Sequence, residues 1–219
     1  MIPDELKSKF RNLILRWSEK NLIDYPWRRE RNPYRVLISE IFLNRTRASQ
    51  VIHVFNDFIK AYPTLEDFLN FNFRDIFNIV KSLGLYKRVD YLEKLSNQLK
   101  SEFNGIIPDE FDKLISLKGI GIYTANAILC FGYNKKRPLL DTNFIRIYKR
   151  IFEVYSKTKS PKTDKFLWNF SKGLLPKEKF IEFNYGILDI GGRICKPRKP
   201  KCMICPLFEI CKFYKKVSS

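Results

Sequence analysis

Four cysteines, Cys195, Cys202, Cys205 and Cys211, stand in the order C-x6-C-x2-C-x5-C. Four thiolates confined to so short a stretch can wrap one tetrahedral metal ion or one iron–sulfur cube. The spacing is uneven and holds a single C-x2-C, so it is not two zinc knuckles in tandem. Local chemistry alone leaves zinc and an iron–sulfur cube both open. Lys196, Arg198, Lys199 and Lys201, with Pro197 and Pro200, fill the loop between the first two cysteines. Such a loop, positive and stiffened by proline, suits contact with a nucleic-acid backbone. The metal would then hold a basic loop rather than perform redox chemistry.

The chain has 219 residues, enough for one large domain or two small ones that share a core. Apolar residues make up 45% of it and include 19 Phe, so a core can be buried. The net charge is +18, with 41 Lys and Arg against 23 acids. That excess suits a polyanion partner; a solvated lysine-rich surface is the alternative. No apolar run approaches the roughly 20 residues of a membrane span. Met1 to Leu6 is polar and acidic, unlike a secretory signal. An intracellular protein is expected, where clustered cysteines bind metal more often than they form disulfides.

The hydrophobic periodicity is helical almost throughout, with no convincing strand alternation, and predicts an all-α chain. Asn32-Pro33 places an N-cap and an N1 proline ahead of a helix over Tyr34 to Leu43. Thr64 with Asp67 can cap a second helix. A third runs over Arg74 to Leu83 and ends at Gly84, and a long one spans Lys87 to Phe103 before Asn104-Gly105. Asp109 and Asp112 signal a cap before Phe111 to Leu117, and helices follow over Thr124 to Phe131 and Thr142 to Phe152. Ser156 to Lys162 is the most loop-like stretch.

Between two of these helices lies Leu117-Lys118-Gly119-Ile120-Gly121-Ile122-Tyr123-Thr124-Ala125. Glycines there allow positive φ and bring backbone N–H groups close to an anion, and the next helix offers its N-terminus. Asp141 follows at the start of a helix, where capping alone would explain it. Glycine-punctuated hairpin, acid and cysteine cage, in this order, resemble the endonuclease III family of base-excision DNA glycosylases, from about Trp17 to Cys211.

The resemblance implies a two-lobed helix-hairpin-helix glycosylase fold. A six-helix lobe would span 31–139, and 1–30 with 140–219 would form a lobe bearing a [4Fe–4S] loop at 195–211. The cleft between them would bind DNA. Cys195, Cys202, Cys205 and Cys211 would ligate the cluster. Lys118, Gly119, Ile120, Gly121 and Thr124 would hold a phosphate, although Lys118 stands where the family often has proline. Arg198 and Lys199 would touch the backbone. Arg45, beside Thr46, and Leu85 match segments that wedge into the base stack, while Leu85 also suits a helix C-cap contact.

Asp141 would be the catalytic carboxylate, held ionised by helix N–H groups and facing the cation that develops on the sugar. Bifunctional relatives carry a lysine two residues past the second hairpin glycine. Tyr123 occupies that position here and cannot form an imine, which implies a monofunctional enzyme that uses water. Glu40 lies in an apolar helix, on its solvent face or in a cleft, and is the second candidate for the active site. With Arg45-Thr46 the set is most similar to mismatch-specific thymine (uracil) glycosylases. Adenine excision opposite 8-oxoguanine is the alternative, favoured by Glu40 and opposed by the chain's ending soon after Cys211, where adenine glycosylases carry a further domain. A bifunctional glycosylase/lyase and a non-catalytic iron–sulfur DNA-binding module complete the set. The expected partner is double-stranded DNA, with no membrane, and the expected state a DNA-associated monomer.

Overall fold

The computed structural model of the chain describes residues 2–83 and 87–218. Among these residues every regular element is helical, as the periodicity predicts. In chain order the α-helices are α1 (Asp4–Asn21), α2 (Pro26–Arg29), α3 (Pro33–Leu43), α4 (Ala48–Ala61), α5 (Leu65–Leu69), α6 (Phe73–Val80), α7 (Lys87–Phe103), α8 (Phe111–Ser116), α9 (Ile122–Ala127), α10 (Thr142–Phe152), α11 (Lys165–Leu174), α12 (Phe180–Arg193) and α13 (Lys212–Ser218). Among the described residues no helix is long and apolar enough to cross a membrane. The chain divides into two compact units. Asp24–Lys135 forms a continuous one, and Met1–Ile23 joins Lys136–Ser219 in the other.

The continuous unit is built on α3. Asn32 caps it, its side chain accepting the Arg35 N–H at 2.8 Å, and Pro33 occupies the first turn. Tyr34, Val36, Leu37, Ile38, Ile41 and Phe42 are all buried, so α3 is apolar nearly all round, as a central helix must be. The ring of Phe42 meets that of Phe58 edge-on at 5.2 Å. Trp27 packs the same way on Phe55 at 5.6 Å, which draws α2 into this unit and sets its boundary ahead of Arg31. Thr64 and Asp67 complete a reciprocal capping box on α5.

Three expected elements come out differently. The helix expected over Arg74 to Leu83 is α6 followed by a 3₁₀ turn, Lys81–Leu83; Gly84 and Leu85 lie outside the described residues. Neither Asp109 nor Asp112 caps α8, whose N-cap is Glu110 without a side-chain bond. Asp109 is taken instead by Lys135, whose Nζ lies 2.6 Å from its carboxylate. The stop after α7 is as expected: Asn104 and Gly105 are left-handed, and the Gly105 N–H reaches back to the Leu99 carbonyl at 2.9 Å. Past α9 the helix widens into a π turn, Ile128–Gly132, closed by the Tyr133 N–H to the Ile128 carbonyl at 3.1 Å. This turn packs on α3.

In the discontinuous unit α1 lies on α12, and α10 packs on α12 and α13. Phe10 of α1 is fully buried between Phe152, at 4.9 Å, and Phe183, at 6.0 Å. Each ring buried in this way contributes about 1.5–3 kcal/mol. The Tyr148 hydroxyl pairs with Ser171 Oγ at 2.9 Å, and Ser171 donates to the Leu139 carbonyl at 2.8 Å, which ties α11 to the chain leading into α10.

Candidate active site and cysteine loop

Asp141 is the N-cap of α10. Its Oδ1 accepts the N–H groups of Asn143 at 2.8 Å and Phe144 at 3.0 Å. Its Oδ2 accepts Asn143 Nδ2 at 2.8 Å. Asn143 Oδ1 accepts Arg146 Nη2 at 2.7 Å, and the same guanidinium donates to the carbonyls of Gly191 at 2.8 Å and Cys195 at 2.6 Å. Space for Asn143 comes from α12: a Cβ on Gly191 would lie 2.5 Å from Asn143 Cβ. Asn143 and Arg146 were not anticipated from the sequence. Their i+2 and i+5 offsets from Asp141 say nothing by themselves, because the partners that orient them come from α12 and the cysteine loop.

Burial pushes the Asp141 carboxyl above the usual carboxylate range. The bonds from the Phe144 and Asn143 N–H groups and from the Asn143 side chain, with the Arg146 charge, pull the other way and are outweighed. The capping expected from the sequence is present, but desolvation dominates, so the group is a more basic carboxylate than its helix position alone implies.

The hairpin joins α8 to α9. Gly119 has φ +71°, and a Cβ there would lie 2.2 Å from the Tyr91 ring. Gly121 is different: its backbone is extended, it is exposed, and nothing lies within 4 Å of where a Cβ would stand. No side chain caps α9, so its N-terminus remains suited to an anion. Lys118 is exposed, its N–H held by Gln98 Oε1 at 2.8 Å. Tyr123 and Thr124 are half-buried. Ile120 departs from the expected set of contacts. Its side chain is 5% exposed and its N–H turns to the Leu117 carbonyl at 3.1 Å, so it serves as the hairpin's core anchor.

Glu40 is half-buried in α3 between buried Ser39 and Ile41. Arg45, in the connection from α3 to α4, is exposed and has φ +60°. Thr46 beside it is half-buried, and its Oγ1 accepts Arg88 Nη2 at 2.7 Å. Arg88 itself was missed in the sequence, although a signal was there: it shares the helical register of Leu92, Leu95 and Leu99, all buried. Leu85, the other expected wedge, lies outside the described residues.

Cys195, Cys202, Cys205 and Cys211 line one open hollow, together with Ile147, Ile151 and Leu207. Arg150 Nη1 donates to Cys195 Sγ at 3.2 Å and to the Lys196 carbonyl at 2.7 Å, and its Nη2 donates to the Pro197 carbonyl at 3.0 Å. The Tyr214 N–H points at Cys211 Sγ at 3.4 Å. Burial pushes the Cys205 thiol up to about 12 and raises Cys211 as well, so thiolates here need a cationic body among them. Among the described residues no three His, Cys, Asp or Glu side chains are grouped to share one ion. Four thiolates round one hollow are a donor set that an iron–sulfur cube accepts. Arg198 and Lys199 are exposed on the loop, Lys199 with φ +49°.

Comparison with known proteins agrees with this chemistry. Residues 38–172 match the model for HhH-GPD superfamily base excision DNA repair proteins, and residues 195–211 match the iron–sulfur binding domain of endonuclease III. The chain is 38% identical over 214 residues to a thymine/uracil-DNA glycosylase of Pyrobaculum aerophilum, covering 95% of this chain and 93% of that one. An adenine DNA glycosylase of Buchnera aphidicola is 37% identical over 203 residues, covering 92% of this chain and 58% of that one. The structure of a thermostable thymine-DNA glycosylase superposes with a TM-score of 0.90 at 33% identity, over 97% of this chain and 98% of that one.

Proposed function

The chain belongs to the HhH-GPD superfamily of base excision DNA repair proteins and carries its iron–sulfur domain, and from that premise we propose a monofunctional DNA glycosylase that removes thymine or uracil mispaired with guanine in double-stranded DNA. The observation that carries the chemistry is the carboxylate of Asp141, held at both oxygens and raised in basicity by burial. The choice of base rests on likeness to thymine/uracil glycosylases along nearly the whole of both chains.

In this reading the C1′–N bond of the extruded nucleotide breaks, and the departing base takes the electron pair. The Asp141 anion stabilises the positive charge left on the sugar. Water adds to C1′, and its proton passes to Asp141, whose raised basicity suits a general base. Glu40 is the second acid in this reading, and a carboxylic acid there would protonate the leaving base. Tyr123, two residues past Gly121, offers a phenol where an amine would form an imine, so the reaction stops at an intact abasic site. The backbone of Gly119 and of Gly121 to Thr124, with Lys118, holds a phosphate and fixes the register without reading sequence. Arg45 fills the gap left in the stack. Cys195, Cys202, Cys205 and Cys211 would hold the cluster, and the loop carrying Arg198 and Lys199 would be fastened by that ligation. The protein acts as a monomer.

Single-turnover excision on duplexes with G·T, G·U and 8-oxoguanine·A in one sequence, at fixed salt because phosphate contacts are salt-sensitive, tests the reading. Faster release of the pyrimidines, with intact abasic sites and no borohydride-trapped adduct, is the expected result. A faster rate on the oxidised pair would move the substrate to adenine, and efficient trapping would replace the water mechanism with an amine nucleophile.

A further inference from the structure

We propose that Arg88 is a positioning residue for base extrusion: it locks the connection between α3 and α4 so that Arg45 enters the stack preorganised. The proposal rests on the wedge reading of Arg45 given above. Arg88 is 7% exposed, in the first turn of α7 and beside fully buried Val89 and Leu92. A buried guanidinium is costly unless its donors are spent. No carboxylate pairs with this one among the described residues. Its fork is spent on one short segment instead. Nη1 donates to the Phe42 carbonyl at 2.9 Å, and Nη2 donates to the Asn44 carbonyl at 2.5 Å and to Thr46 Oγ1 at 2.7 Å.

These three acceptors bracket Arg45, which itself is left-handed at φ +60°. A side chain other than glycine adopts that backbone only when its surroundings over-determine it. The Thr46 N–H, bonded to the Leu43 carbonyl at 3.1 Å, closes the turn from within, and the Arg88 fork closes it from outside. Neither contact involves Asp141 or Glu40. Loss of the fork therefore softens the wedge and leaves the hydrolytic groups in place. Preorganisation of this kind lowers the cost of reaching the extruded state and does not change the bond-breaking step.

Arg88→Lys keeps the charge and the stem but cannot fork. Wild type, Arg88→Lys, Thr46→Val and Arg45→Ala are compared by single-turnover excision on two duplexes. One carries uracil opposite guanine, and the other carries uracil opposite an abasic-site analogue, where no pairing opposes extrusion. Arg88→Lys is expected to lose about tenfold or more on the paired duplex and under about threefold on the unpaired one. Thr46→Val, which removes a single acceptor, shifts the ratio the same way by less and carries the test if Arg88→Lys does not fold. The ratio is a readout that general destabilisation does not move. Equal losses on both duplexes, or none on either, overturn the proposal. If Arg45→Ala loses nothing on the paired duplex, the wedge reading fails and the proposal falls with it. If the wild type excises from neither duplex, it is the glycosylase reading that fails first.

Discussion

Asp141 holds the start of α10 and, in the proposed reaction, faces the sugar as positive charge develops on it. The two duties pull on its ionisation in opposite directions. Its carboxyl in the fold titrates above the ordinary value, because burial outweighs the capping bonds. A group raised in this way adds most to stability below the unfolded pKa, and that contribution is lost as pH rises through the folded value. Asp141→Asn removes the titration and leaves a residue that caps about equally well. The variant is expected to gain stability relative to wild type as pH rises from acid towards neutral, while excision falls on the order of 10²-fold or more. Thermal melts across a pH series, paired with single-turnover rates, check both; a stability difference that ignores pH would remove the desolvation argument. The cap that Asp141 makes was legible in the sequence because its signal is local. Asn143 and Arg146 were not, since what gives them meaning is Gly191 and Cys195, far along the chain.

At the level of elements the hairpin separates two kinds of glycine. Gly119 is required by the fold, through its positive φ and the Tyr91 ring against it, whereas Gly121 faces open space. Gly119→Ala is expected to cost about 1–3 kcal/mol of stability. Gly121→Ala should melt like the wild type and bind duplex DNA more weakly, because a methyl group then stands where a phosphate would approach. Melts and titrations at one salt concentration distinguish them, and a Gly121→Ala protein that binds normally would shift the anion contact elsewhere. The starts of α3 and α5 and the stop of α7 were readable because caps are written within a few residues. The widening at Ile128–Gly132 was not, since it depends on the surface of α3 beneath it. Asp109 misled for the same reason: an acid before a helix reads as a cap until Lys135 takes it.

For the molecule as a whole, the order of hairpin, acid and cysteines announced the family, and the excess of 41 basic over 23 acidic residues announced its polyanion. Tertiary wiring such as the buried Arg88 fork stayed hidden, because a charge in core register gives no hint of which carbonyls it will meet. The division into a continuous and a discontinuous unit carries a prediction of its own. A fragment spanning Asp24–Lys135 contains every residue of its unit and is expected to melt cooperatively, with helical circular dichroism, when expressed alone. A broad, non-cooperative melt would show that it needs the rest of the chain. The division also sets an order of events during synthesis. Helix α1 leaves the ribosome well before the surface it buries, on α12. Phe10 and Ile14 must wait, exposed, while the continuous unit completes itself. The newborn chain thus passes through a stage with one finished unit and one sticky helix still without its partner, the interval in which chaperones would matter most.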